Sequence, residues 1–391
     1  MAERTFIISE INGESVIDWN VTLDIKGARK YVLVAAVNFH ENVLLGNFSK
    51  HAESYMLKKT ATFKEGEMNT FILVNMGKGE IITYEYKGKN KIKETPELPK
   101  YDPIIDSDYY AGIHPNPQYA RNRFFDPMSK KCISKYTFYD MVEKIGIDDP
   151  ETLIELNVFS HAYFDGPILV DSVQRTGSND PKDFDMRRTD ISSYYANDPI
   201  KKDNFKKAFH NTQGIIKLWG CSFPRDTNAL YSKLRKDKNK IYQNSTPIND
   251  TDKLVYPKNH FWFMPSKSDN TPLLDSTGKP VQIDLTNQIN GSLRTTYKVD
   301  AEIELTGLQI KQFMSYQYYA VFASFAAESF DIKIQAALPA TYSEFNTKEF
   351  TGVSSNTFNT VKMYEVHLDV KIGELHYGIY DKATVTRLKA I

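Results

Sequence analysis

The chain has 391 residues, 41% hydrophobic, 25% charged and 13% aromatic, a composition with enough apolar surface for real cores that excludes disorder as its main state. Lys plus Arg and Asp plus Glu number 49 each, which removes any bulk electrostatic pull towards nucleic acid or an anionic membrane. The two cysteines, Cys132 and Cys221, exclude a disulfide framework and a Cys-rich zinc site, and suit a reducing compartment.

No stretch approaches the roughly 18 apolar residues of a membrane span. The opening Met-Ala-Glu-Arg-Thr-Phe lacks the apolar core of a signal peptide. The expectation is therefore a chain that is cytoplasmic as synthesised, with any export by a route independent of a signal peptide. The length suggests about two domains.

Residues 1–95 carry short β-rich runs, among them Phe6-Ile-Ile-Ser, Val16-Ile-Asp-Trp-Asn-Val-Thr-Leu, Tyr31-Val-Leu-Val-Ala-Ala-Val, Thr70-Phe-Ile-Leu-Val and Glu80-Ile-Ile-Thr-Tyr-Glu-Tyr. They predict a small β-sandwich-like N-terminal domain without a substantial helix. Residues 96–130 are rich in proline, which blocks both helix and central-strand pairing, and read as an extended connector. Residues 131–391 are expected to form the second domain. A helix is predicted over 134–146, with Gly146 as its C-cap. A buried strand follows over 153–160 and a short one at Pro167–Asp171. A long polar loop over 174–204 comes next, then a helix over 199–211 with Asp198 as N-cap. A second buried strand covers 214–219, and a basic helix covers 224–239. His260-Phe-Trp-Phe-Met reads as a buried strand and Asp275-Ser-Thr-Gly as a hairpin turn. Thr306 and Gln309 are spaced as a capping box for a buried helix over 307–328. Strands are expected at 331–338 and 361–370. Alternating helices and strands predict an α/β fold: a mixed, largely parallel sheet flanked by helices, preceded by the small all-β domain.

The two buried runs of the middle region organise the chemistry. Leu153-Ile-Glu-Leu-Asn-Val-Phe-Ser delivers His161, and Gly214-Ile-Ile-Lys-Leu-Trp-Gly delivers Cys221. Reactive groups and ligands in open α/β sheets gather at the C-terminal ends of strands. If the two strands are neighbours, His161 can take the thiol proton and Cys221 becomes the nucleophile. Ala162, Asp165, Gly166 and Ser222 flank the pair and are the candidates for oxyanion donors and substrate contacts.

In this pattern the region 150–225 resembles the caspase, gingipain and separase-like cysteine peptidases, where one apolar block leads to a His and a later one to a small residue and the Cys. The resemblance implies a caspase-like layered sandwich, His161 as general base, Cys221 as nucleophile, a protein or peptide substrate and no cofactor. It departs from the group at Ala162, where Gly is usual, with Gly166 close by. The His and Trp-Gly-Cys layout is also similar to bacterial effector or toxin-like proteins.

Other readings stay open. Gly220-Cys-Ser-Phe-Pro is close to the nucleophile elbow of α/β-hydrolases, which would make Ser222 the nucleophile with His260, His367 or His376 as base. A non-enzymatic component or cargo of a larger assembly, with the N-terminal β-domain as docking module, is the competing class. The acidic loop from Asp180 to Asp190 is expected to be solvated and not to bind a metal, because Lys182, Arg187 and Arg188 neutralise it. No glycine-rich phosphate loop, dinucleotide fingerprint or His-Glu-x-x-His occurs, so no cofactor is expected.

Overall fold

The computed structural model describes residues 7–11, 14–18, 27–38, 48–76, 80–97, 135–163, 166–171, 186–188, 199–222, 235–237, 240–241, 247–256, 261–263, 296–298, 303–345 and 350–391. Its largest sheet has eight strands. In chain order these are β1 (Arg29–Ala35), β2 (Met68–Asn75), β3 (Glu80–Lys87), β4 (Asn90–Glu97), β5 (Leu153–Phe159), β6 (Ile215–Trp219), β7 (Lys333–Ala336) and β8 (Gly378–Tyr380). Across the sheet the order is β8-β7-β6-β5-β1-β2-β3-β4.

The fold is thus α/β with a mixed sheet, as the alternating pattern predicts. β1 pairs in parallel with both β2 and β5, and β5 pairs in parallel with β6. β3 then turns back antiparallel along β2, and β4 antiparallel along β3. Strands in the parallel region have both faces covered, so they read as unbroken apolar runs. Val32, Leu33, Val34, Ile72, Leu73, Val74, Leu156 and Val158 form the buried centre.

The chain makes two compact units. The first comprises residues 1–220, 329–334 and 345–351, and the second residues 221–328, 335–344 and 352–391. In the first, helix α1 (Ser49–Thr60) lies on the face of β1 and β5 that presents Tyr31 and Glu155. Helices α2 (Lys135–Asp148) and α3 (Pro199–Ala208) pack on each other so closely that a Cβ at Gly146 would lie 1.7 Å from the Asn204 carbonyl oxygen. In the second unit, helices α4 (Gly307–Ala320) and α5 (Phe322–Phe330) are separated by Val321, whose extended backbone (ψ 159°) breaks the helix predicted as continuous. Most of α5 belongs to this unit. The capping box of α4 is formed: the Gln309 N–H donates to Thr306 Oγ1 and the Thr306 N–H to Gln309 Oε1. Helices α6 (Phe358–Leu368) and α7 (Lys382–Lys389) also belong to it.

Four expectations are corrected here. Residues 29–97 do not make an all-β domain of their own, because β1 lies between β2 and β5 in the large sheet and Ser49–Thr60 is helical. The strand expected over 361–370 is helix α6, which buries Thr360, Val361, Met363, Tyr364, His367 and Leu368 at helical spacing. Arg235–Asp237, placed in a basic helix by the sequence, is a strand. Gly146 lies inside α2 and does not cap it. The proline-rich connector lies outside the described residues from position 98 onwards, and so does the hairpin at 275–278. No helix among the described residues is long and apolar enough to cross a membrane.

Candidate functional site

β5 and β6 are neighbours, in register from Ile215↔Glu155 to Trp219↔Phe159. The two strands that deliver His161 and Cys221 therefore end side by side, which meets the condition that the sequence left open. The chain leaves β1 first for β2 on one side, and later returns to lay β5 on the other. This reversal makes a switch point between β1 and β5, where the crevice beyond the strand ends is the favoured ligand position in open α/β sheets.

Alternation along the strands sets Glu155, Asn157 and Phe159 on one face of β5, beside Lys217 and Trp219 of β6. These charges are buried beneath α1, yet each is matched. Lys59 and Lys217 reach Glu155 Oε1 at 2.7 and 3.1 Å, and Tyr55 donates its hydroxyl hydrogen to Oε2 at 2.5 Å. Tyr55 and Lys59 stand four residues apart, one helical turn, so α1 presents both to the same carboxylate. Burial pushes the Glu155 carboxyl up, but Lys217 and Lys59 outweigh it and hold the group at about 2. Trp219 Nε1 donates to Asn157 Oδ1 at 2.9 Å, and the Phe159 and Trp219 rings stack at 6.1 Å. A polar and aromatic seam thus ties α1, β5 and β6 together directly below the strand ends.

Beyond Phe159, His161 opens a short strand, His161–Tyr163, that pairs antiparallel with Gly166–Ile168. The imidazole is half-buried and meets the Phe48 ring edge-on at 5.3 Å. Gly166 adopts φ 142°, a conformation that favours glycine, and Asp165 lies outside the described residues. Ala162 packs on Gly220: a Cβ at Gly220 would sit 2.8 Å from both the Ala162 Cβ and the Ser160 carbonyl oxygen. A small residue at 162 and none but glycine at 220 therefore let the two chain segments converge. That is a packing reason for the alanine where the resemblance leads one to expect glycine.

Past Gly220, Cys221 Sγ accepts a hydrogen bond from the Ser343 backbone N–H at 3.4 Å. Ser222 is buried, and its N–H donates to the Thr341 carbonyl at 2.9 Å. Of the bases considered for Ser222, His367 Nδ1 already accepts from the Ile248 N–H at 3.2 Å, and burial with Lys311 nearby lowers it to about 4. His376 is exposed and lies over the Phe358 ring at 4.4 Å, while His260 lies outside the described residues.

Glu155, Asn157 and Lys217 are polar residues at period two inside otherwise apolar strands, and that spacing is the one signal of them in the sequence. Ser343 and Tyr377 carried no signal at all. Among the described residues no group of three or more His, Cys, Asp or Glu side chains is placed to hold a metal ion. Of the acidic loop, only residues 186–188 are described. Compared with known proteins, the chain matches no family model, no curated protein and no solved structure.

Proposed function

We propose that the protein is a cysteine hydrolase, a peptidase acting on a protein or peptide, with His161 as general base and Cys221 as nucleophile. The observation that carries this reading is the parallel pairing of β5 with β6 up to Phe159 and Trp219, beside the switch point at β1. The likeness to caspase, gingipain and separase-like peptidases calls for two such neighbouring strands, and the pairing supports it. The close approach of Ala162 to Gly220 adds to it.

In the proposed reaction His161 takes the Cys221 proton as sulfur bonds to the substrate acyl carbon. The carbon–nitrogen bond then breaks and the leaving amine takes that proton from His161. Water, deprotonated by the same imidazole, cleaves the thioester and releases the acid. Backbone N–H groups in 162–166 are the proposed donors to the oxyanion. A bacterial effector or toxin role, with the N-terminal segment docking to a partner, is a compatible setting for such an activity.

An acyl-type electrophilic probe tests the reading, with Cys132 as internal control. Cys221 is expected to label much faster than Cys132, and His161→Ala to slow it about 100-fold, the low end of general-base contributions. Equal, slow labelling of both cysteines overturns the proposal in favour of a structural or binding protein. Undiminished turnover by Cys221→Ala does so too.

A further inference from the structure

We propose that Ser343 and Tyr377 are positioning residues that hold Cys221 in its thiolate form. This assignment rests on the reading of Cys221 as the nucleophile. All three residues belong to the second unit.

The segment after β7 runs alongside the segment after β6 and is joined to it by two backbone contacts. The Ser222 N–H donates to the Thr341 carbonyl at 2.9 Å, and the Ser343 N–H donates to Cys221 Sγ at 3.4 Å. A thiol is a weak acceptor and a thiolate a strong one, so an N–H aimed at sulfur favours the anion. The donor is held in place from behind. Ser343 Oγ and the Tyr377 hydroxyl share a hydrogen bond of 2.6 Å, and Tyr377 has no solvent exposure. Burial keeps the Tyr377 phenol well above its ordinary value, so it stays protonated wherever the cysteine titrates.

Tyr377 is itself aimed by an unusual turn. The two residues before it, Leu375 and His376, are non-glycine residues at φ 53° and 65°, in the left-handed region that side chains disfavour. That turn is pinned by its surroundings. The Tyr377 N–H donates to the Glu374 carbonyl at 3.1 Å, the Gly373 N–H donates to the Tyr377 carbonyl at 2.7 Å, and the Glu374 N–H donates to Gln335 Oε1 at 3.2 Å. Gly352 packs so tightly on this turn that a Cβ there would lie 2.7 Å from Leu375 Cβ. Ala340, at the start of the segment that carries Ser343, is also left-handed at φ 66°. Backbone strain of this kind concentrates where side chains must be held for function. Here both strained turns lead to the same sulfur.

The test is the pH dependence of Cys221 alkylation by iodoacetamide in the full chain carrying Cys132→Ser. Among the described residues on the segments around the sulfur the other titratable groups are Tyr342, Glu344, Glu374, His376 and Tyr377, to which the peptidase reading adds His161. His376→Gln and His161→Gln controls therefore remove the two imidazoles among them. Tyr377→Phe leaves the Ser343 N–H but removes the hydroxyl that aims it, so the midpoint is expected to rise by about half a pH unit, with alkylation about threefold slower at neutral pH, a part of what one hydrogen bond to a charged acceptor contributes. Ser343→Ala is expected to move it the same way, and Ser343→Thr, which keeps the hydroxyl, to hold it near wild type. If Tyr377→Phe does not fold, Ser343→Ala decides. Profiles superimposable on wild type in folded variants overturn the assignment. The readout needs no turnover, so the two ideas fail separately: a shifted midpoint without any hydrolase activity sinks the peptidase reading alone.

Discussion

Glu155 is a buried carboxylate on which Lys217, Lys59 and Tyr55 converge. Its carboxylate is ionised in the fold because Lys217 and Lys59 outweigh the cost of burial, which holds it at about 2 against an ordinary 4.5. A carboxyl whose folded value is depressed contributes stability that is complete above its unfolded value and is lost as pH falls through the folded one. The window is therefore from about 4.5 down to about 2, and the contribution at neutral pH is about 3 kcal/mol. Glu155→Gln is expected to lower unfolding stability by about that amount at pH 7, because Lys217 stays buried without its counter-charge. The deficit should shrink as the pH approaches 2. Urea unfolding of both proteins at pH 7 and pH 3 measures this, and a deficit that does not change with pH refutes it. At this scale the placement of His161 and Cys221 just past two apolar strands is legible, since a side chain at the end of an apolar run is a local pattern. Ser343 is not: it stands 122 positions from the cysteine it touches, and nothing local to it marks the contact.

Among the elements, α2 and α3 show how packing can reverse a local preference. Gly146 lies in the interior of α2, where glycine costs about 1 kcal/mol relative to alanine. Taken alone, Gly146→Ala should stabilise the helix. In the fold the new methyl would lie 1.7 Å from the backbone oxygen of Asn204, which cannot swing away as a flexible side chain would. The helices must part, and overpacking of this kind costs roughly 1–3 kcal/mol. The expected result is a lower melting temperature for Gly146→Ala, and a higher one shows that the two helices can separate freely. The same contact explains why Gly146 looks like a cap from the sequence: a glycine at the end of an apolar pattern signals either a helix stop or a close crossing. Helix α6 was misread for a related reason. Val361 with Met363, and Val366 with Leu368 and Val370, imitate the alternation of a strand, while the pairs Thr360/Val361, Met363/Tyr364 and His367/Leu368 recur at the helical interval that the fold uses. Helix α1 escaped notice because its buried side is built from Ser49, His51, Ala52, Met56 and Thr60, which are mostly small or polar.

At the scale of the whole molecule, the arrangement that local patterns could not supply is the sheet order. The strands themselves were visible in the first ninety-odd residues, but the sequence does not show that β1 joins β5, an association that also brings Lys30 to Thr152 across 122 positions. Apolar runs specify burial, and a two-sided parallel sheet and a small sandwich both satisfy that demand. The observed order makes a specific pattern of local stability. β1, β2 and β5 have a partner strand on each side and buried side chains on both faces, so their amides open only with the unit as a whole. β4 is last in the order, and Asn90–Glu94 are exposed, with lysines at 91 and 93 and Pro96 in the strand, features that blunt an edge. Native-state hydrogen exchange should therefore find the amides of Val32–Val34, Ile72–Val74 and Leu156–Val158 at the global limit. Those of Lys91–Glu94 that are engaged with β3 should exchange at least about 100-fold faster, through local fraying that spans a few kcal/mol. Equal protection in β4 and β1 would mean that the antiparallel strands unfold with the parallel centre as one block, and that the ends of β5 and β6 and the sheet margin share a single cooperative unit.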